Sequence, residues 1–201
     1  MKDTYKTLKK ATEESLFKEK GSKFFGYAFP ITKEEEVKII LSHLKKQHTS
    51  AGHFCYAWQL GKENIRFRVS DDGEPNNSAG MPIYGQIQTY ALTDVLVVSV
   101  RYFGGTKLGV GGLIQAYKYS AQITLEKALV VVRTIDVIYQ LSFEYELMNT
   151  VMRIVKEKNL TILSQDLGVR CVYRVAVRKA EAEALLQRFK SLFKITIQEE
   201  E

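Results

Sequence analysis

The sequence predicts an α+β protein of two domains. Three observations carry that expectation: short β-type runs alternate with amphipathic helical stretches, the pattern restarts near Val132, and the second half reads strand–helix–strand–strand–helix–strand. With 201 residues and 45% hydrophobic content, the chain can bury one good core or two small ones.

Taken in order, Phe24 to Ile31 is the first expected strand. Lys33 to Gln47 follows as a helix, because Val37, Ile40, Leu41 and Leu44 fall at helical spacing and Glu34, Glu35 and Glu36 fill the turn where the helix dipole favours acid. His53 to Leu60 and Ile65 to Ser70 are the next strands, each ended by Gly or charged residues. Ser78 is placed to cap a helix through Pro82 to Ala91, after the turn that Asp72, Gly73 and Pro75 favour. Val95 to Phe103 is a strand, and Gly111 to Ala128 a long helix whose Ala116, Ser120, Ala121 and Thr124 allow close approach to a sheet. The second half gives strand Ile135 to Glu144, helix Glu146 to Lys158, strands Leu160 to Gln165 and Val169 to Val177 around an Asp166-Leu167-Gly168 turn, helix Lys179 to Phe189 and strand Phe193 to Gln198. That order fits a ferredoxin-like split βαβ fold, so domains are expected at 1–132 and 133–201.

Charge narrows the partners. Lys and Arg number 29 against 23 Asp and Glu, a net of +6, and residues 1–132 carry 18 basic and 13 acidic side chains against 11 and 10 in the remainder. The positive field therefore sits in the first domain and favours anionic partners there. The longest apolar run, Val95 to Val100, is far short of the ~20 residues a membrane helix needs. The N-terminal MKDTYKTLKKATEE lacks the apolar core of a secretory signal, so no membrane contact and a cytoplasmic location are expected. Cys55 and Cys171, far apart and outside any CxxC pair, read as reduced packed thiols.

Eight of the thirteen glycines lie between Val69 and Tyr117, and five of them, Gly104, Gly105, Gly109, Gly111 and Gly112, separate a buried strand from a helix. Such a loop either lets helix and sheet pack closely or points free N–H groups at an anion, with Arg101 and Lys107 beside it. GGTKLGVGG contains no Walker G-K-[ST], and Ile114 stands where a dinucleotide fingerprint wants Gly or Ala, so no nucleotide cofactor is expected. Asp71, Asp72 and Glu74 lack the alternate spacing of a calcium loop and read as a solvated turn. His43, His48 and His53 recur at intervals of five, where helical zinc ligands need four. No metal is expected. A hydrolase can be assembled from Ser78, His53 and Asp72, but Asn76-Asn77-Ser78-Ala79-Gly80 lacks the first glycine of a nucleophile elbow.

His53-Phe54-Cys55-Tyr56-Ala57, Ser70 to Pro75, Ser78-Ala79-Gly80-Met81-Pro82, and Val100 to Leu113 with Ala116-Tyr117 together resemble the YigZ/IMPACT family over nearly the whole chain. Asn77 departs from the glycine usual there, though Asn tolerates a left-handed backbone. The family's common Thr at Ser78 argues against a serine nucleophile. The resemblance implies a first domain similar to the second domain of ribosomal protein S-five, followed by a ferredoxin-like domain. In eukaryotic relatives this first domain accompanies a region that regulates translation by competing for the activator of a starvation-responsive kinase. That region is not evident here, and the role is not carried over intact. The expected function is a non-catalytic binding protein, RNA- or ribosome-associated and linked to translation. The expected contacts are His53, Asp71, Asp72, Glu74, Ser78, Arg101, Gly104, Gly105, Lys107, Gly109, Gly111 and Gly112; the alternatives are the hydrolase and an adaptor for an acidic protein partner.

Overall fold

The structure is a computed structural model and describes residues 3–200. Its elements are β1 (Thr4–Leu8), β2 (Ser15–Glu19), β3 (Ser22–Pro30), α1 (Glu35–Gln47), β4 (His53–Leu60), β5 (Arg66–Ser70), α2 (Gly80–Thr89), β6 (Val95–Tyr102), α3 (Gly109–Glu126), β7 (Val130–Thr134), β8 (Asp136–Glu144), a 3-10 turn (Tyr145–Leu147), α4 (Met148–Glu157), β9 (Thr161–Leu167), β10 (Arg170–Arg178), α5 (Lys179–Lys190) and β11 (Ile195–Glu199). The chain divides into two compact units between Arg133 and Thr134, and Asp3 and Thr4 join the second. It is a two-domain α+β protein.

In the first unit β6 is the middle strand of an antiparallel sheet ordered β2-β3-β6-β4-β5. It can be central because VLVVSV is apolar on both alternating faces. Val95 and Val97 join the core beneath α2 and α3, whereas Leu96, Val98 and Val100 join the core that includes Val37 and Leu44 of α1. The small residues of α3 bring it close to the sheet: Ser99 Oγ lies 2.8 Å from Ser120 Oγ, and Ser15 Oγ 2.7 Å from Thr124 Oγ1. A Cβ on Gly26 would fall 2.0 Å from Thr124 Oγ1, so only glycine fits under the helix there.

Three strands escaped the sequence pattern. β1 and β7 pair in a separate two-stranded sheet, and β2 is an edge strand whose Leu16 and Lys18 are exposed, so apolar alternation is weak. The second unit forms an antiparallel sheet ordered β11-β8-β10-β9, packed against α4 and α5 around Leu141, Phe143, Val151, Val175, Leu185 and Phe189. This is the ferredoxin-like arrangement. Asp3 ties in through its carbonyl, which accepts from Ile135 N at 2.7 Å, and through a 2.6 Å pair with Arg178 that holds its carboxyl below the usual range. No helix of the described residues is long and apolar enough to cross a membrane.

Candidate functional site

The site begins with strand register. Arg101 of β6 pairs with Phe24 of β3 on one side and His53 of β4 on the other, so the three share the face that α3 covers. A guanidinium there is out of water: Arg101 is 4% exposed. It needs a counter-charge, which Glu74 supplies from just beyond β5. Arg101 Nη1 donates to Glu74 Oε1 at 2.6 Å, and the Tyr117 hydroxyl on α3 donates to the same oxygen at 2.8 Å. Nη2 reaches Ser22 Oγ at 3.3 Å, which also accepts from Gly104 N at 3.2 Å. The guanidinium carbon lies 5.5 Å from the Phe24 ring centroid and 5.7 Å from that of Phe103. Arg101 Nε is buried with no acceptor among the described residues.

Cys55 continues the buried cluster, with Sγ 3.0 Å from the Asp71 carbonyl and 3.3 Å from the Tyr117 hydroxyl. Burial pushes the Cys55 thiol up, against the opposing effect of its hydrogen bond with the Tyr117 hydroxyl. Burial, reinforced by Cys55 and Glu74, pushes the Tyr117 phenol up as well. Both stay neutral at physiological pH, so neither is poised as a nucleophile or base.

The acidic turn is not the solvated turn expected from its spacing. Asp71 Oδ1 accepts from Ala79 N and Gly80 N at 2.9 and 2.8 Å, and Oδ2 from Asn77 N at 2.8 Å. Asp71, nine residues upstream, therefore caps α2. This corrects the assignment to Ser78, which is buried and donates to the Pro75 carbonyl at 2.6 Å. It also starts the helix at Gly80, two residues earlier than expected. Asn77 adopts φ 62°, the left-handed conformation that its departure from glycine left open.

Asp72 Oδ2 accepts from Phe54 N at 2.7 Å, while the Asp72 carbonyl accepts from His53 Nδ1 at 2.9 Å. A carbonyl cannot donate, so the Nδ1 proton is fixed there and Nε2 faces Glu74 Oε1 at 3.8 Å. The hydrolase constellation is thus not assembled: His53 meets the backbone of Asp72 instead of its carboxylate, and the Ser78 hydroxyl is spent on Pro75. Among the described residues no group of three or more His, Cys, Asp or Glu could hold a metal ion.

The glycine loop is shorter than expected because α3 begins at Gly109, leaving Gly111 and Gly112 in its first turn. Gly104 is required by close approach, since a Cβ would lie 1.9 Å from the Gly21 carbonyl carbon. Gly109 is required by its φ of +72°. Gly105 and Gly111 would meet nothing within 4 Å, so their backbone stands open beside exposed Lys107. Between loop and turn lies a cleft of about 300 Å³, lined by Glu74, Arg101, Phe103, Lys107, Leu108 and Leu113 among others. Arg101 thus borders it as a buried residue, not as the surface contact its sequence position suggested.

Ser22, Phe24, Cys55, Phe103 and Tyr117 were missing from the expected contacts. Period-2 counting along β4 puts Cys55 on the His53 face, and an aromatic at the head of a glycine loop marks Phe103. Nothing local marks Ser22. A second buried cluster also went unread: the Tyr27 hydroxyl meets the Glu14 carboxylate and His48 Nε2, and the Tyr102 hydroxyl lies 3.0 Å from His48 Nδ1.

The Impact N-terminal domain matches residues 20–125, which carry Ser22, Phe24, His53, Cys55, Glu74, Arg101, Phe103 and Tyr117. The IMPACT family member YvyE of Bacillus subtilis is 32% identical over 184 residues, 92% of this chain and 84% of its own. The chain belongs to the IMPACT family. A crystal structure of a hypothetical protein superposes on this IMPACT-family chain with a TM-score of 0.74 at 26% identity, covering 100% of this chain and 99% of the other. Yih1, described as a two-domain translational regulator, matches 59% of this chain and 46% of its own at 24% identity and a TM-score of 0.39.

Proposed function

We propose that this IMPACT-family protein is a non-catalytic, cytoplasmic binding protein that associates with RNA or the ribosome through the face around Gly104 to Gly112 and acts in the regulation of translation. The observation that carries the reading is the division of labour at the cleft. The groups with catalytic potential, His53, Asp72, Ser78 and Cys55, are each engaged in holding backbone or burial. What faces solvent is Lys107, the aromatic ring of Phe103 and the bare backbone of Gly105 and Gly111 at the positive end of α3. A rigid buried frame presenting a basic, open rim suits recognition of a phosphate-bearing partner. The excess of 18 basic over 13 acidic residues in positions 1–132 supplies the matching field, and family membership supports the link to translation.

The test is a filter-binding titration with an RNA hairpin bearing unpaired tails, across a range of salt. Association at low salt that weakens log-linearly as salt rises, with a shallower slope in Lys107→Ala, is the expected result. No association at low salt refutes the RNA reading. Binding whose salt slope ignores Lys107→Ala refutes the face.

A further inference from the structure

We infer that the RNA this face takes is single-stranded, with an unpaired base stacked on Phe103 and its phosphate held by Lys107 and the backbone N–H groups at the start of α3. The inference rests on the RNA reading above and narrows it.

Phe103 is 57% exposed at the head of the loop, with its ring set over the Arg101 guanidinium at 5.7 Å, so it is held in place from below while much of it stays wet. An aromatic ring fixed over a cation and open to solvent is a stacking platform of the kind single strands use. A cleft lies beside it. About 300 Å³ bounded by Phe103, Leu108 and Leu113 on apolar sides and by Arg101, its partner Glu74 and Lys107 on charged ones lies at the small end of ligand pockets, a scale that suits a single base rather than a base pair. Arg101, buried and paired with Glu74 at the wall of the cleft, fixes the Phe103 ring from beneath. A duplex keeps its bases stacked and paired, and its narrow groove does not deliver one into such a recess.

Leu108 also borders a second hollow of about 440 Å³, lined by Phe17, Glu19, Lys20, Gln115 and Tyr119 among others. Tyr119 is 47% exposed and set edge-on against Phe17, with ring centroids 4.8 Å apart. Two hollows that share Leu108, each with an exposed aromatic and a lysine beside one glutamate, would give a strand a second contact next to the first. The open backbone of Gly111 lies in the helical turn next to Leu108.

The test uses the full chain, an oligoadenylate of about ten nucleotides, and a blunt RNA duplex of the same length. Trp58, the single tryptophan, is buried in β4, so Phe103→Trp places one exposed indole at the proposed platform. Quenching of that indole by the oligoadenylate, and tenfold or greater preference for it over the duplex, are the expected results. Phe103→Ala weakens oligoadenylate binding by roughly tenfold or more, the scale of one lost base–aromatic stack, with the urea midpoint unchanged. Equal binding of duplex and single strand, or Phe103→Ala binding as tightly as the unsubstituted protein while Lys107→Ala binds more weakly, overturns the single-strand inference and leaves the RNA reading standing. Failure of every RNA to bind overturns both.

Discussion

Removing the charge of Glu74 while keeping its shape isolates what the buried pair contributes. Both side chains are about 5% exposed and their charged atoms are 2.6 Å apart, so neither can be rescued by water when the other is lost. In Glu74→Gln the amide oxygen can still accept from the Tyr117 hydroxyl, so the main loss is the counter-charge of Arg101. Breaking a buried ion pair by removing one partner costs about 3–5 kcal/mol, a large part of the 5–15 kcal/mol that holds an ordinary domain together. Arg101→Met leaves the Glu74 carboxylate buried with only Tyr117 and His53 near it and should cost a similar amount. The double variant removes both charges together and should recover about 2–3 kcal/mol of the summed losses. Urea unfolding followed by tryptophan fluorescence measures this in the right place, because Trp58 lies in the first unit and reports its unfolding. Strict additivity, or single variants within about 1 kcal/mol of the unsubstituted protein, would show that the pair does not frame the site.

Three further outcomes follow from the geometry. Asp71→Ala deletes the carboxylate that caps α2 and is expected to lower stability by about 2 kcal/mol, with loss of amide protection at Asn77, Ala79 and Gly80 in hydrogen exchange; unchanged protection would contradict the capping role. Gly26→Ala should cost about 1–3 kcal/mol through overlap with Thr124, whereas Gly111→Ala, in the open first turn of α3, should be neutral or stabilising by up to about 1 kcal/mol in the same urea experiment. Burial holds His48 below its free value of 6.5, against the pull of Glu14, so on acidification the unfolded chain takes up that proton before the folded one does. The contribution is complete above 6.5 and is lost as pH falls towards the lower folded value, with a limiting slope of about 1.4 kcal/mol per pH unit. His48→Gln should flatten that part of the stability profile, and an unaltered slope would refute the assignment.

Much of the fold could be read from local patterns because local patterns cause it. The doubly apolar Val95–Val100 run places β6 at the centre, the spacing of Val37, Ile40, Leu41 and Leu44 makes α1, and the hairpin at Gly168 lies between adjacent strands of the βαββαβ unit. The strands missed, β1, β2 and β7, owe their state to long-range pairing, and β2 is an edge strand with little alternation. The site was half legible for the same reason. Its glycines and its Asp, His and Ser residues stood out by type, but their partners are set by register and crossing. Glu74 meets Arg101 27 residues away, Asp71 reaches past Ser78 to Gly80, and His53 finds a carbonyl where composition offered a carboxylate. A lone Arg beside a glycine loop reads as a surface contact until the β3 and β4 neighbours bury it.

Amide hydrogen exchange of the full chain, with and without a saturating single-stranded RNA at low salt, tests the central claim most directly, because it reports every backbone N–H at the proposed face. The account predicts new protection concentrated at Gly104 to Leu113, with little change along the lysine-bearing surface of α1. Protection that spares Gly104 to Leu113, or that falls on α1 instead, would contradict it.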